Sequence, residues 1–242
     1  MKKRVHLKLY ATLVILLLFG TVANAGGGAA YEGFKKCGGC HKSQRLSWEK
    51  TKHAKAMDSL KPNMKVEEKK KAGLDPEKDY TQDEKCVACH TTGYGGKKGY
   101  KLGLSKSKAK YLLGVGCESC HGAGAVYRKE HRKAGNKFKK KNKSTPRKKL
   151  VKQGENYDYE EACNRCHLNY KGSPWKEAKE PYTPFTPEVD PQYAFDFDKA
   201  VRETKAMHEH FKLKGVFSGD PVPPMRAEFQ KDAKEPVPAK KK

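Results

Sequence analysis

The sequence predicts a mainly α fold, built of helices and long loops with little or no sheet and wrapped around bulky groups that are not amino acids. Three observations lead there. Apolar residues recur at helical spacing in several short segments that begin at Ser or Asp and end at Gly. Only 36% of the 242 residues are hydrophobic, too few to fill an ordinary core at this length. All eight cysteines fall into four copies of one pattern, Cys-x-x-Cys-His.

The copies are Cys37-Gly38-Gly39-Cys40-His41, Cys86-Val87-Ala88-Cys89-His90, Cys117-Glu118-Ser119-Cys120-His121 and Cys163-Asn164-Arg165-Cys166-His167. Two thiols three positions apart, followed at once by an imidazole, form the c-type haem attachment pattern: the cysteines bond the macrocycle and the histidine reaches the iron. Structural zinc also uses Cys-x-x-Cys pairs, but it gives no reason for a histidine directly after every pair. A disulfide framework leaves the same four histidines unexplained. The chain is therefore expected to bind four covalently attached haem c groups, as a multihaem cytochrome c. Their macrocycles supply the apolar surface that the composition lacks.

In chain order, residues 1–25 read as a secretory signal. Lys2, Lys3, Arg4 and Lys8 form the charged start, residues 11–19 the apolar run, and Ala23-Asn24-Ala25 the cleavage site. The run is shorter than the roughly 20 residues that a membrane span needs. Export to the periplasm is the expectation, with a single haem-binding domain over residues 26–220. Residues 43–60 are expected to form a helix capped by Ser43, with Leu46, His53, Met57 and Leu60 on one face. A second helix is expected over residues 125–134, closed by Gly135. A third is expected over residues 197–214, opened by Asp196 or Asp198 and closed by Gly215. The lysine-rich stretches 61–85 and 133–149 read as solvated, and the proline- and lysine-rich tail 221–242 reads as disordered.

The formal net charge is +24, and signal cleavage removes four positive charges and no acid. Nucleic acid is the usual partner of so basic a chain, but export excludes it. An acidic protein partner or an anionic membrane surface fits better, since charge of this kind raises association rates.

Nine histidines, less His6 in the signal and the four in the motifs, leave His53, His131, His208 and His210 as ligands on the far side of four irons. On a helix, His208 and His210 would lie about 200° apart. His208 shares the apolar stripe, so it is expected to be the ligand and His210 a surface residue. One iron then lacks a second histidine, unless Met57, Met64, Met207 or Met225 substitutes.

Beyond the motifs, several segments resemble the cytochrome c-554 family, tetrahaem electron acceptors of hydroxylamine oxidoreductase in ammonia oxidisers. They are Ser47-Trp48, residues 51–57 (Thr-Lys-His-Ala-Lys-Ala-Met), residues 79–83 (Asp-Tyr-Thr-Gln-Asp), the surroundings of Cys117, residues 166–170 and 172–175, residues 181–190, and residues 205–210 (Lys-Ala-Met-His-Glu-His). The resemblance implies His41 with His131 on the first haem, His121 with His53 on the third, and His167 with His208 on the fourth. It leaves His90 alone on a five-coordinate second haem, covered by Thr183, Pro184 and Phe185. Residues 92–111 depart from the family.

The expected function follows: an electron carrier rather than an enzyme, taking electrons, in pairs, from a hydroxylamine-oxidoreductase-like donor in nitrification and passing them to a downstream cytochrome c or a membrane quinone-reducing cytochrome. The alternatives are nitric oxide reduction at the five-coordinate haem, and a membrane-anchored quinol dehydrogenase if the N-terminus is retained.

Overall fold

The structure is a computed structural model that describes residues 29–167 and 183–237. The expected signal segment lies outside them, as do residues 168–182, which hold part of the family-like stretches. Short helices joined by turns make up the chain: α1 (Phe34–Gly38), α2 (Lys42–Trp48), α3 (Val66–Lys71), α4 (Glu84–His90), α5 (Lys106–Ala109), α6 (Cys117–His121), α7 (Gly124–Lys141), α8 (Arg147–Val151), α9 (Tyr159–Asn164), α10 (Phe197–Ala200) and α11 (Arg226–Lys231). The sheet is one parallel pair, β1 (Thr145–Pro146) with β2 (Phe217–Ser218), in the register Thr145 to Phe217. Among the described residues no helix is long and apolar enough to cross a membrane.

Helix starts follow local chemistry. The carboxylates of Asp83, Asp158 and Asp196 accept the backbone N–H of Lys85, Glu161 and Lys199, so each satisfies an amide that the first helical turn leaves unpaired. Helix lengths do not follow it. The expected helix 43–60 stops at Trp48, and a 3-10 turn follows over Ala56–Leu60. The cause is tertiary: the amides of Lys52 and His53 donate to the carbonyls of Lys205 and Ala206 instead of to their own preceding turn. Those same bonds break the expected helix 197–214, which ends at Ala200. Further along, the Lys212 amide donates to the Lys234 carbonyl and the Lys234 amide to the His210 carbonyl.

The middle helix errs the other way. α7 runs through Gly135 and ends only at Asn142, whose left-handed φ of 48° lets its amide reach the Phe138 carbonyl. A helical glycine costs only about 1 kcal/mol relative to Ala, and the buried Ala134 and the following residues carry the helix past it.

Two expected disordered or solvated stretches also prove built. The tail from Pro221 folds as far as Val237: α11 forms, Ala233 is buried, and the Val237 amide donates to Ser43 Oγ at 2.7 Å. Within 61–85, α3 forms and Lys69 is buried, its Nζ donating to the Lys61 carbonyl.

Apolar burial centres on Met57, Leu60, Tyr80, Val87, Tyr100 and Leu112. Val87 stands between the two cysteines of the second motif, so this cluster is the wall against which that motif is set. At about 25 cal/mol per Å² of apolar surface, so few buried side chains make a modest core for a chain of this length.

Candidate haem-binding sites

Each attachment motif starts on a helix: α1 carries Cys37, α4 Cys86 and Cys89, α6 Cys117 and Cys120, and α9 Cys163. Positions three apart on a helical turn share a face, so both sulfurs of a motif present to one plane. At the first and fourth motifs the turn is closed identically, with the His41 and His167 amides donating to the carbonyls of Cys37 and Cys163 at 3.0 and 2.9 Å.

The motifs adjoin one another in an order that is not the chain order. α1 packs on α6 and α6 on α9, and Cys89 of the second motif adjoins Cys166 of the fourth. First, third, fourth, second is therefore the spatial row.

Two of the motif imidazoles and one far-side imidazole are held by one nitrogen. His90 Nδ1 lies 2.7 Å from the Ala56 carbonyl and 3.2 Å from Ser59 Oγ, and His121 Nδ1 lies 3.2 Å from Tyr159 Oη. His208 Nδ1 sits 2.8 Å from the Glu209 carbonyl. In each case Nε2 is left for a ligand, the arrangement that fixes a metal-binding tautomer. Burial lowers the pKa of His53 and His90, and takes His121 and His131 down to about 4. His41 and His167 are exposed residues. Burial of the imidazole still lowers the pKa of both, His167 to about 4, with His208 and His53 as the respective second causes. Neutral imidazole is the ligating form.

The far-side histidines meet particular partners. His131 stands 5.6 Å from His41, ring centre to ring centre, as the resemblance implied. His53 stands 6.3 Å from His167, and His208 lowers the pKa of both His121 and His41 through its charge. The ring beside His53 is thus that of His167, where the resemblance implied His121, and among the described residues the ring contact of His208 is with His210. The backbone pairing of residues 52–53 with 205–206 sets the segments that carry His53 and His208 side by side. Metal–imidazole bonds of about 2 Å on each side leave ring centres at a separation of this size, so the residues fit an iron between them. Among the described residues no imidazole ring faces His90 in this way.

His210 is not the surface residue expected. Its ring stacks on Phe229 at 4.2 Å, and its Nε2 is buried without a hydrogen-bond partner among the described residues. The expected helix through His208 and His210 does not form, since α10 ends at Ala200. Of the expected cover, Thr183 Oγ1 accepts the Phe185 amide, Phe185 packs edge-on against Tyr193, and Pro184 is exposed.

Glu118, inside the third motif, escaped the sequence reading. It is 1% exposed, and its carboxylate accepts the amides of Glu32, Gly33 and Gly124 at 2.6 to 3.0 Å, tying the entry of the chain to the start of α7. Burial pushes its pKa up while those amides pull it down. An acid between two motif cysteines was the signal available for it. Tyr159, four residues before Cys163, gave none.

Residues 36–122 match the family described as cytochrome c554 and c-prime. The chain is 59% identical over 213 residues to cytochrome c-554 of Nitrosomonas europaea, covering 88% of each protein. The solved reduced state of cytochrome c554 from that organism superposes with a TM-score of 0.80 at 58% identity, over 86% of this chain and 99% of that one. Attachment motifs, neutral imidazoles and a mostly helical fold agree with this likeness, and the chain belongs to the cytochrome c-554 family of haem-carrying electron-transfer cytochromes.

Proposed function

We propose that the chain is an exported tetrahaem carrier that takes electrons, in pairs, from a hydroxylamine-oxidoreductase-like multihaem enzyme and passes them to a downstream cytochrome. A covalently held haem iron supplies one-electron chemistry between its ferric and ferrous states. The chain's own residues supply the rest. Four cysteine pairs hold the groups, and His41, His90, His121 and His167 ligate from one side. His131, His208 and His53 ligate from the other side at the first, third and fourth sites. The observation that carries this reading is the row of motifs, α1 packed on α6, α6 on α9, and Cys166 beside Cys89. A row of this kind suits relay between two ends better than a reaction at one centre.

Stopped-flow mixing of the oxidised holoprotein with hydroxylamine oxidoreductase turning over hydroxylamine tests it. Haem reduction on the timescale of turnover is expected; none within many turnovers would defeat the reading.

The lone imidazole of His90 favours a second activity, binding and reduction of nitric oxide at that site. Thr183, Pro184 and Phe185 are proposed to shield its far side, which argues for restricted access. Titration with nitric oxide decides: a perturbed band from one haem supports it, and unchanged spectra remove it.

A further inference from the structure

Charge is unevenly placed along this chain. Residues 61–85 hold seven Lys and seven Asp or Glu, and most of the lysines there are engaged: Lys61 with Asp58, Lys65 with Glu68, Lys70 with Glu67, Lys71 with Asp190, and Lys69 on a backbone carbonyl. Between Glu130 and Glu155 the chain holds eleven Lys and Arg and no acid. The nine lysines of that stretch and Arg132 are all exposed. Among the described residues the ion pair made there is Lys133 with Glu130, and the buried Arg147 is occupied by the carbonyls of Gly219 and Phe217. α7 packs on α8, and β1 joins them, so the lysines belong to one folded surface.

Such a surface is costly unless something meets it. Lys133 and Lys137, and Lys137 and Lys141, are like charges four apart on one helix, each pair mildly destabilising. Concentrated positive charge also works against the compact state while raising the rate of encounter with negative surfaces.

Its location narrows the partner. His131 lies on α7 itself, and Phe217 of β2, paired with β1, packs 4.7 Å from its ring. The basic surface therefore backs directly on the His41–His131 site, one end of the motif row. Cys40, in the first motif, is exposed, whereas the other seven motif cysteines are half-buried. Ammonium groups, strongly hydrated and without the rigid fork of guanidinium, suit a complex that forms and parts quickly.

Resting on the electron-carrier reading above, we propose that the exposed lysines of α7 and α8 form the docking face for an acidic redox protein, with electrons crossing there at the His41–His131 site. The exchange moves one electron from the reduced partner to the oxidised carrier; no bond forms or breaks. A lipid headgroup would bind the same ammoniums but makes no use of the adjoining redox site.

The test compares two charge-matched holoprotein variants. In one, Lys139, Lys140, Lys141, Lys148 and Lys149 become Gln. In the other, Lys97, Lys98, Lys101, Lys106 and Lys108 become Gln; these are exposed lysines of a run whose Tyr100, Leu102 and Ala109 pack on the apolar cluster near His90. The probe is reduced flavodoxin, a small acidic one-electron donor, mixed with each oxidised protein at low ionic strength. The α7–α8 variant should be reduced roughly tenfold more slowly than the parent, with a flattened salt dependence, while the control loses little.

Equal losses in both variants would show that only net charge matters and would overturn the proposal, as would no loss in either. Lost binding to phosphatidylglycerol vesicles with unchanged flavodoxin rates would make the face a lipid face, and overturn it too. If hydroxylamine oxidoreductase reduces parent and α7–α8 variant alike, the face is wrong and the carrier stands. If it reduces neither while flavodoxin discriminates, the donor is wrong and the face stands.

Discussion

His53 and His167 face each other at 6.3 Å, although one follows the first attachment motif and the other closes the fourth. The relationship ties the beginning of the chain to a site assembled two-thirds of the way along it. It depends on His53 being held outside a helix, by its amide on Ala206 and by its carbonyl accepting the Val115 amide at 2.9 Å.

His53→Ala should convert one low-spin haem to high-spin, and added imidazole should restore it. The pairing is tested in a background lacking Cys163 and Cys166. There His53→Ala is expected to leave the low-spin electron paramagnetic resonance signals unchanged, while His208→Ala removes one. The opposite pattern would return His53 to His121.

Glu118→Gln is expected to destabilise the protein by about 2–4 kcal/mol, because an amide group turns a donor towards three buried N–H groups that now share a carboxylate. Denaturant unfolding followed at the haem band measures it. A loss under about 0.5 kcal/mol, the range of a neutral surface substitution, would show that Glu118 does not pin Gly33 to Gly124.

Some of this was legible in the sequence and some was not, for physical reasons. The attachment motifs are local, since chemistry at three-residue spacing needs no tertiary information, whereas the helices α4, α6 and α9 that bear them are seen only in the structure. Caps at Asp83, Asp158 and Asp196 are local as well. Periodicity over 43–60 and 197–214 misled because the amides of Lys52 and His53 leave their own helix for Lys205 and Ala206, a bond between segments that no spacing records. The tail after Pro221 looked unstructured by composition, yet Lys234 and Val237 bond to His210 and Ser43.

Burial lifts Glu155 to about 7, with Tyr157 beside it and Arg147 opposing. The folded chain thus keeps a proton that the unfolded chain releases near 4.5. Stability from this group is greatest below that value and is lost as pH rises through 7. Glu155→Gln should remove that slope and be more stable than the parent at pH 8, by roughly 2–3 kcal/mol. Thermal unfolding between pH 4 and pH 8, a range of about 4 units spanning both values, checks it; an unchanged slope in the variant refutes the assignment.

Gly114 holds φ at 75°, and a Cβ there would stand 2.5 Å from the Ala54 carbonyl oxygen and 2.8 Å from that of His53. Gly114→Ala should cost about 2 kcal/mol or more and, by pushing back the turn that carries His53, weaken one low-spin signal. Thermal unfolding and the spin-state spectrum of the same sample report both effects. Loss of stability without a spectral change would separate Gly114 from His53.

Electron paramagnetic resonance of the fully oxidised protein at low temperature tests the central claim most directly. Three low-spin bis-histidine centres and one high-spin centre, held by His90 alone, are expected. Four low-spin centres, or fewer than four haems by pyridine haemochrome on the same sample, would contradict it.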